Sequence, residues 1–339
     1  MLNVILDSGA YTAWRSGKPI NLLEYCDFIK RNQAWITSYA NLDVINQNDP
    51  EQAAHDSHEN YKFMRAQGLK PMPIFHVGED SRWLKTMLDA GCDYIGLSAS
   101  SLVSRNKVDS WYDMIWEHIV SPSGLPLIKA HAFGEGREGS LIRNPWYSAD
   151  SASWIYSAQR SATIQINSTT KLSQRRDQAS SPTSQDVEAL AGADAEVWRK
   201  LLAEYGIREE ALTRDATGNI IRMFITAKHY LNIEARVSSL CPIRVRTNGF
   251  FSQPFGLKDQ APIHIAKFNM HFVIGANNMA AAVVAMTGAQ NVLVSYPYFI
   301  KNRSCTAFEK FAANPLEAVV TEKKYLRSYT KLKERIHHA

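Results

Sequence analysis

The sequence predicts an α/β fold, a (β/α)8 TIM-type barrel with an insertion in its last third. Three observations lead there. In the first half of the 339 residues, short apolar runs alternate with segments of helical spacing, joined by short loops. Such alternation argues for parallel strands. The beat repeats beyond five units with polar residues at the strand ends, where a barrel gathers its chemistry. No GxGxxG follows the first strand, which weakens the case for an open dinucleotide-binding sheet.

Each element follows from its local pattern. Asn3–Leu6 reads as a buried strand that delivers Asp7. Asn21–Gln33 carries Leu22, Tyr25, Cys26, Phe28 and Ile29 at helical spacing, with Asn21 as the cap. Trp35–Leu42 reads as a strand ending at Asp43, and Pro50–Gln67 as a helix. Met72–Phe75 is a strand that runs into His76-Val77-Gly78. Ser81–Ala90 is a helix stopped by Gly91. Tyr94–Leu97 is a strand ending in Ser98, followed by a helix over Trp111–Val120. Leu127–Ala130 is a strand that leads into His131-Ala132-Phe133-Gly134. A short helix near Ser140–Ile142 precedes the strand Trp146–Ala149, which presents Asp150. Ala162–Ile166 is the next expected strand.

The beat breaks after Asn167. Ser168–Ser184 is polar and basic, and reads as a surface loop. Asp186–Glu204 and Met223–Ile233 are expected helices; Cys241–Arg246 and Pro262–Lys267 are expected irregular strands. Regularity returns with a strand at Met270–Gly275, a helix at Met279–Met286, a strand at Asn291–Ser295 and a basic helix over Lys323–His337. The expected organisation is one catalytic domain. Residues 1–167 form the first part of the barrel, 168–266 an insertion, and 267–339 the last strands, the closing helix and a basic tail.

Composition narrows the classes. Hydrophobic residues make up 45% of the chain, enough for a full core. No apolar run is long enough to span a bilayer. The N-terminus reads as a strand and not as a signal peptide, so a cytoplasmic protein is expected, with no membrane partner. Cys26, Cys92, Cys241 and Cys305 lie far apart, with no CxxC. No compact metal cluster is therefore written, and no cofactor is expected; a zinc site assembled from distant Cys and His stays open. The net charge is +5. Arg175, Arg176, Lys323 and Lys324 belong to basic clusters that suit a polyanion, with solvated helix faces as the plainer reading.

The chemistry rests on two aspartates. Asp7 lies in Val4-Ile5-Leu6-Asp7-Ser8-Gly9-Ala10-Tyr11, and Asp150 in Tyr147-Ser148-Ala149-Asp150-Ser151-Ala152-Ser153-Trp154. In both, an apolar or aromatic run brings a carboxylate into small residues that leave room for a ligand. A buried carboxylate is costly unless used or paired. Two that converge suit chemistry at a sugar C1′, one attacking and the other handling protons. The plainer reading makes each a helix cap.

At these motifs the chain resembles the tRNA-guanine transglycosylase superfamily. It looks closest to the DNA-modifying branch of phages and bacteria, the DpdA proteins, which exchange guanine in DNA for a 7-deazaguanine. The resemblance is carried by Leu6-Asp7-Ser8-Gly9-Ala10-Tyr11, Asn41-Leu42-Asp43, His76-Val77-Gly78, His131-Ala132-Phe133-Gly134 and the Asp150 motif. Phe272-Val273-Ile274-Gly275 and Leu293-Val294-Ser295-Tyr296 add a late match. It spans most of the chain but is thin between Ser168 and Ala266.

The resemblance implies a (β/α)8 barrel with Asp150 as nucleophile, Asp7 as proton shuttle and Asp43 as reader of the guanine edge. Gly96, Ser98 and Phe133 would line the base pocket. Ser8, Gly9, His76 and His131 would complete it, although a satisfied histidine is the plainer reading of the last two. DNA and a free 7-deazaguanine base of the preQ0 type would be the partners; whether a partner ATPase joins them stays open. The Cys-x-Cys-x-x-Cys zinc subdomain typical of the tRNA enzymes is not written here, which argues against tRNA. A tRNA substrate and a barrel glycoside hydrolase using the same carboxylates remain the alternatives.

Overall fold

A computed structural model describes residues 1–46, 48–99, 103–156, 158, 163–165, 171–173, 185–186, 193–208, 211, 216–241, 257, 260–274, 278–297, 305–321 and 323–336. Eight parallel strands form one curled sheet. They are β1 (Asn3–Asp7), β2 (Ser38–Tyr39), β3 (Ile74–His76), β4 (Tyr94–Ser98), β5 (Lys129–Phe133), β6 (Ser148–Ser151), β10 (Asn269–Ile274) and β11 (Asn291–Ser295). Their order is β2-β1-β11-β10-β6-β5-β4-β3. Apart from β3, whose predecessor β2 stands at the opposite end of the order, each strand therefore lies beside its predecessor in this series, with β1 beside β11. A separate small sheet holds β7 (Thr163–Gln165), β8 (Lys171–Ser173) and β9 (Gln185–Asp186).

Strand alternation sorts the core into two layers. Val4, Leu6, Ile95, Leu97, Ala130, Ala132, Val292 and Val294 face the helices and pack with Phe28, Ile29, Leu84, Ile115 and Trp116. Ile5, Met72, Tyr94 and Leu293 form a second cluster with Phe133, Tyr147 and Val273 on the opposite face. Ile5 and Leu293 come from neighbouring strands near one end of the order, and Met72 and Tyr94 from the other end. Curling of the sheet brings them together. At the two edges, Met72 N–H donates to Tyr39 O (2.8 Å) and Asn41 N–H donates to Met72 O (2.8 Å), so Ala40 and Met72 form a parallel bridge.

Local chemistry explains the helices. In α2 (Leu22–Asn32) the Asn21 side chain accepts from Leu23 N–H and Glu24 N–H, as its sequence predicts. Asp49 caps α3 (Pro50–Ala66) and Asp80 caps α4 (Ser81–Asp89) in the same way. The helix expected at Trp111–Val120 is α5 (Arg105–Ile119). It starts earlier because Val108 already joins the buried stripe of Trp111, Tyr112, Ile115, Trp116 and Ile119. A short α1 (Ala10–Ser16), which the sequence pattern does not announce, begins directly after Asp7-Ser8-Gly9; the short helix expected near Ser140–Ile142 is α6 (Glu138–Arg143), and α7 (Ser153–Tyr156) follows β6.

Other expectations need correction. Residues 163–165 do not join the eight-stranded sheet; they pair antiparallel with Lys171–Ser173 in the small sheet, within the segment expected to be a loop. Of the helix expected over Asp186–Glu204, Asp186 lies in β9, Ala193–Glu204 form α8, and residues 187–192 lie outside the described residues. Residues 262–267 form no strand; Ile263 N–H donates to Pro126 O instead. Of the strand expected at Cys241–Arg246, all but Cys241 lies outside the described residues. The helix expected at Met223–Ile233 is α9 (Ala216–Ser239), longer because Ile220, Ile221 and Val237 extend its buried surface. It packs on β10 and on α10 (Asn278–Thr287), so the segment between β6 and β10 contributes to the helical layer.

Candidate active site

In a parallel sheet all strand C-termini reach one edge, and the register aligns the polar residues there. Asp7 lies opposite Ser295, His76 opposite Ser98, and Ser98 opposite Phe133. One step along, His131 lies opposite Ser148 and Asp150 opposite His271. The aspartates that the sequence separates by more than a hundred residues thus meet at a single rim.

Asp43 is buried and engaged at both oxygens. Ser8 Oγ donates to its Oδ1 at 2.9 Å, and His76 Nε2 lies 3.0 Å from its Oδ2. The Ser8 hydroxyl also accepts from Ala10 N–H, which ties this cluster to the first turn of α1. Gly9 makes the turn possible. Its φ is +82°, and a Cβ there would lie 2.2 Å from Pro297. Beneath Asp43, His76 N–H donates to Glu79 Oε2 at 3.1 Å. Burial lowers the proton affinity of His76, but the hydrogen bond and charge of Asp43, with the charge of Glu79, raise its pKa above the usual 6.5. Glu79 is pushed up to about 7 by burial, with the charges of Asp43 and Glu51 adding to it against the pull of His76.

Asp150 is held through one oxygen. His131 Nε2 lies 3.1 Å from Oδ1, and Gly134 N–H donates to the same atom at 3.0 Å. Behind it, His131 Nδ1 lies 2.6 Å from Ser148 Oγ, and Ser148 in turn hydrogen-bonds the Tyr94 hydroxyl. All three partners are buried. His271 stands beside them, its ring centroid 5.7 Å from that of His131, with no well-formed hydrogen bond at either ring nitrogen. Burial and the neighbouring His131 hold its pKa well below 6.5, and the nearby backbone of Asn269 and Ala149 offsets only part of this.

Asp7 is the electrostatic centre. It lies deep among protein atoms yet keeps part of its surface open. Burial, then the charge of Asp43, then that of Asp150, push its carboxyl up to about 7, against the pull of the Gly9 N–H and the Ser295 hydroxyl. A carboxyl that shares its proton evenly near neutral pH can both give and take one. Beside it stand Asp150, held by an imidazole and a backbone N–H, and Asp43, engaged by a hydroxyl and an imidazole.

The remaining expected residues divide. Ser98 reaches the same edge. Gly96 leaves space for a ring, since a Cβ there would lie 2.5 Å from Phe133 Cε2. Lys323 is exposed at the start of the C-terminal helix Lys323–Ile336. Arg175 and Arg176 lie outside the described residues, as does the side chain of Lys324. The sequence assigns no site role to Tyr94, Ser148, Glu79, Ser295 or His271, although Ser148 and Ser295 lie within its motifs. Two-residue alternation from Asp150 and from Gly96 would have put Ser148 and Tyr94 on the site's face. Among the described residues no group of three or more His, Cys, Asp or Glu is arranged to hold a metal ion. No described helix is long and apolar enough to cross a membrane.

No family model, no curated protein and no solved structure matches the chain.

Proposed function

We propose that this protein is a DNA-guanine transglycosylase that exchanges guanine in DNA for a 7-deazaguanine base through a covalent Asp150–C1′ ester. We further read the Ala40–Met72 bridge as closing the curled sheet into a (β/α)8 barrel, with the three aspartates around its mouth. The observation that carries the proposal is geometric: Asp7, Asp43 and Asp150 gather at one sheet edge, Asp150 held through one oxygen and Asp43 through both, and this crowding with burial pushes the Asp7 carboxyl up to about 7. Base exchange needs a nucleophile that stays ionised and a second carboxyl that gives up and regains one proton.

The steps balance on these residues. A lone pair of Asp150 Oδ2 forms the bond to C1′ as the C1′–N9 bond breaks. Its electron pair goes to guanine N9, which takes the proton of Asp7. The incoming base then loses its N9 proton to the Asp7 carboxylate. Its nitrogen attacks C1′, and the ester oxygen leaves with its electron pair, restoring both aspartates. Asp43 accepts the N1–H and N2–H of guanine on the lone pairs that Ser8 and His76 leave unused. A duplex substrate requires the base to be flipped out of the stack.

The test is incubation with preQ0 and either DNA or tRNA, followed by nucleoside mass spectrometry. The expected result is a 7-deazaguanine nucleoside in DNA and none in tRNA. Incorporation into tRNA alone would assign the same chemistry to the other nucleic acid, and incorporation into neither would remove the reading.

A further inference from the structure

We infer that His131 is a positioning residue: the chain Tyr94–Ser148–His131 locks its imidazole as the neutral Nε2–H tautomer, which pins Asp150 Oδ1 and leaves Oδ2 as the only oxygen open to attack. The inference comes from counting donors and acceptors. Asp150 Oδ1 faces His131 Nε2 at 3.1 Å, Ser148 Oγ faces His131 Nδ1 at 2.6 Å, and the Tyr94 hydroxyl contacts Ser148 Oγ. An ionised carboxylate only accepts, so Nε2 must donate.

One arrangement then satisfies every group. Tyr94 O–H donates to Ser148 Oγ, Ser148 O–H donates to Nδ1, and Nε2–H donates to Oδ1. An imidazolium would reverse the chain. Its Nδ1–H would donate to Ser148, Ser148 would donate to Tyr94, and the buried Tyr94 hydroxyl would have no acceptor, because its other neighbour, at 3.5 Å, is that same Nδ1. A buried hydroxyl left without an acceptor forfeits its hydration with nothing in return. The Nδ1–H tautomer fares worse, since it turns the Nε2 lone pair toward Oδ1. The groups that face His131 are Tyr94 from β4, Ser148 and Asp150 from β6 and His271 from β10. His271 offers no competing hydrogen bond. With the Gly134 N–H also on Oδ1, both fixed donors bind one oxygen. When Oδ2 becomes the ester oxygen, Oδ1 becomes its carbonyl oxygen and keeps both.

This role rests on the proposed base exchange, but the tautomer does not. Histidine-labelled protein is read by two-bond 15N–1H correlation at pH 7, with the His131 signals identified by their loss in His131→Gln. The expected pattern is neutral Nε2–H in the wild type. In Ser148→Ala, which removes the donor to Nδ1, that pattern should give way to imidazolium or a tautomer mixture. An imidazolium pattern in the wild type, or an unchanged pattern in Ser148→Ala, would overturn the lock. Should His131→Gln fail to fold, the shift on Tyr94→Phe identifies the signal instead. In that variant an imidazolium would still leave one hydroxyl proton unpaired, now that of Ser148, so the neutral Nε2–H pattern should persist; a change to imidazolium would count against the chain.

Turnover tests the positioning. Gln retains a donor for Oδ1 and Leu does not, so His131→Leu should lose about 10²–10³-fold in kcat and His131→Gln should recover most of that loss, both at unchanged KM. Equal losses would remove the positioning role. A wild type inactive in base exchange but showing the Nε2–H pattern would reject the function and retain the lock.

Discussion

His76 Nε2 lies 3.0 Å from Asp43 Oδ2, joining β3 to the segment that follows β2, the two ends of the strand order. The contact ties those ends together beside the Ala40–Met72 bridge. Because the pKa of His76 is raised above 6.5, its contribution to stability is complete below 6.5 and is lost as pH rises through the folded-state value. Asp43→Asn should move the His76 midpoint down in an NMR titration. An unmoved midpoint would assign the raised value to another group.

Asp7 gives a stability signature as well as a kinetic one. Between 3.8 and about 7 the unfolded chain has lost this proton and the folded protein retains it, so stability falls as pH rises through that window. Glu79, pushed up from 4.5 to about 7, acts in the same direction. Urea unfolding at pH 4, 5, 6 and 7 should therefore show a shallower fall for Asp7→Asn than for the wild type, with the Glu79 share remaining. Parallel curves would place the Asp7 carboxyl near its ordinary range. In turnover, Asp7→Ala should cost roughly 10²–10⁴-fold, the usual span for general acid–base work.

Asp150→Asn preserves shape but removes the ionised oxygen. The variant should bind DNA as the wild type does, form no covalent adduct on a denaturing gel and incorporate no base. Full incorporation would shift the nucleophile to another residue.

Gly96 and Phe133 form a steric pair. An alanine Cβ at Gly96 would lie 2.5 Å from Phe133 Cε2 and 3.3 Å from Ile74 Cγ1. Gly96→Ala should lower stability by about 1–3 kcal/mol through overpacking. Adding Phe133→Leu should recover part of that loss in a double-mutant cycle; additive losses would show that the ring is not what the methyl meets.

Arg175 and Arg176 carry the sequence expectation of phosphate contact. Replacing both by Ala should weaken DNA binding about equally across sequences and flatten its salt dependence, by about 0.9 in slope per lost contact on duplex DNA. An unchanged slope in a salt series would leave the DNA path to other cations.

The sequence by itself determined the alternation of strands and helices, the Asn21 cap and the strand-end positions of Asp7 and Asp150, because each depends on residues within a turn or a strand of one another. It reached Asp43 and His76 as separate motifs but not as a pair. The tertiary structure decided that pairing, the extra length of α9 and the small sheet around 163–186, which arise from packing between segments distant along the chain. It also decided the proton affinity of Asp7 and the oxygen by which Asp150 is held. Both depend on burial and on charges and donors from other strands: pairing of β4, β5 and β6 brings Tyr94, Ser148 and Asp150 to His131, and the curl of the sheet brings Asp43 to His76.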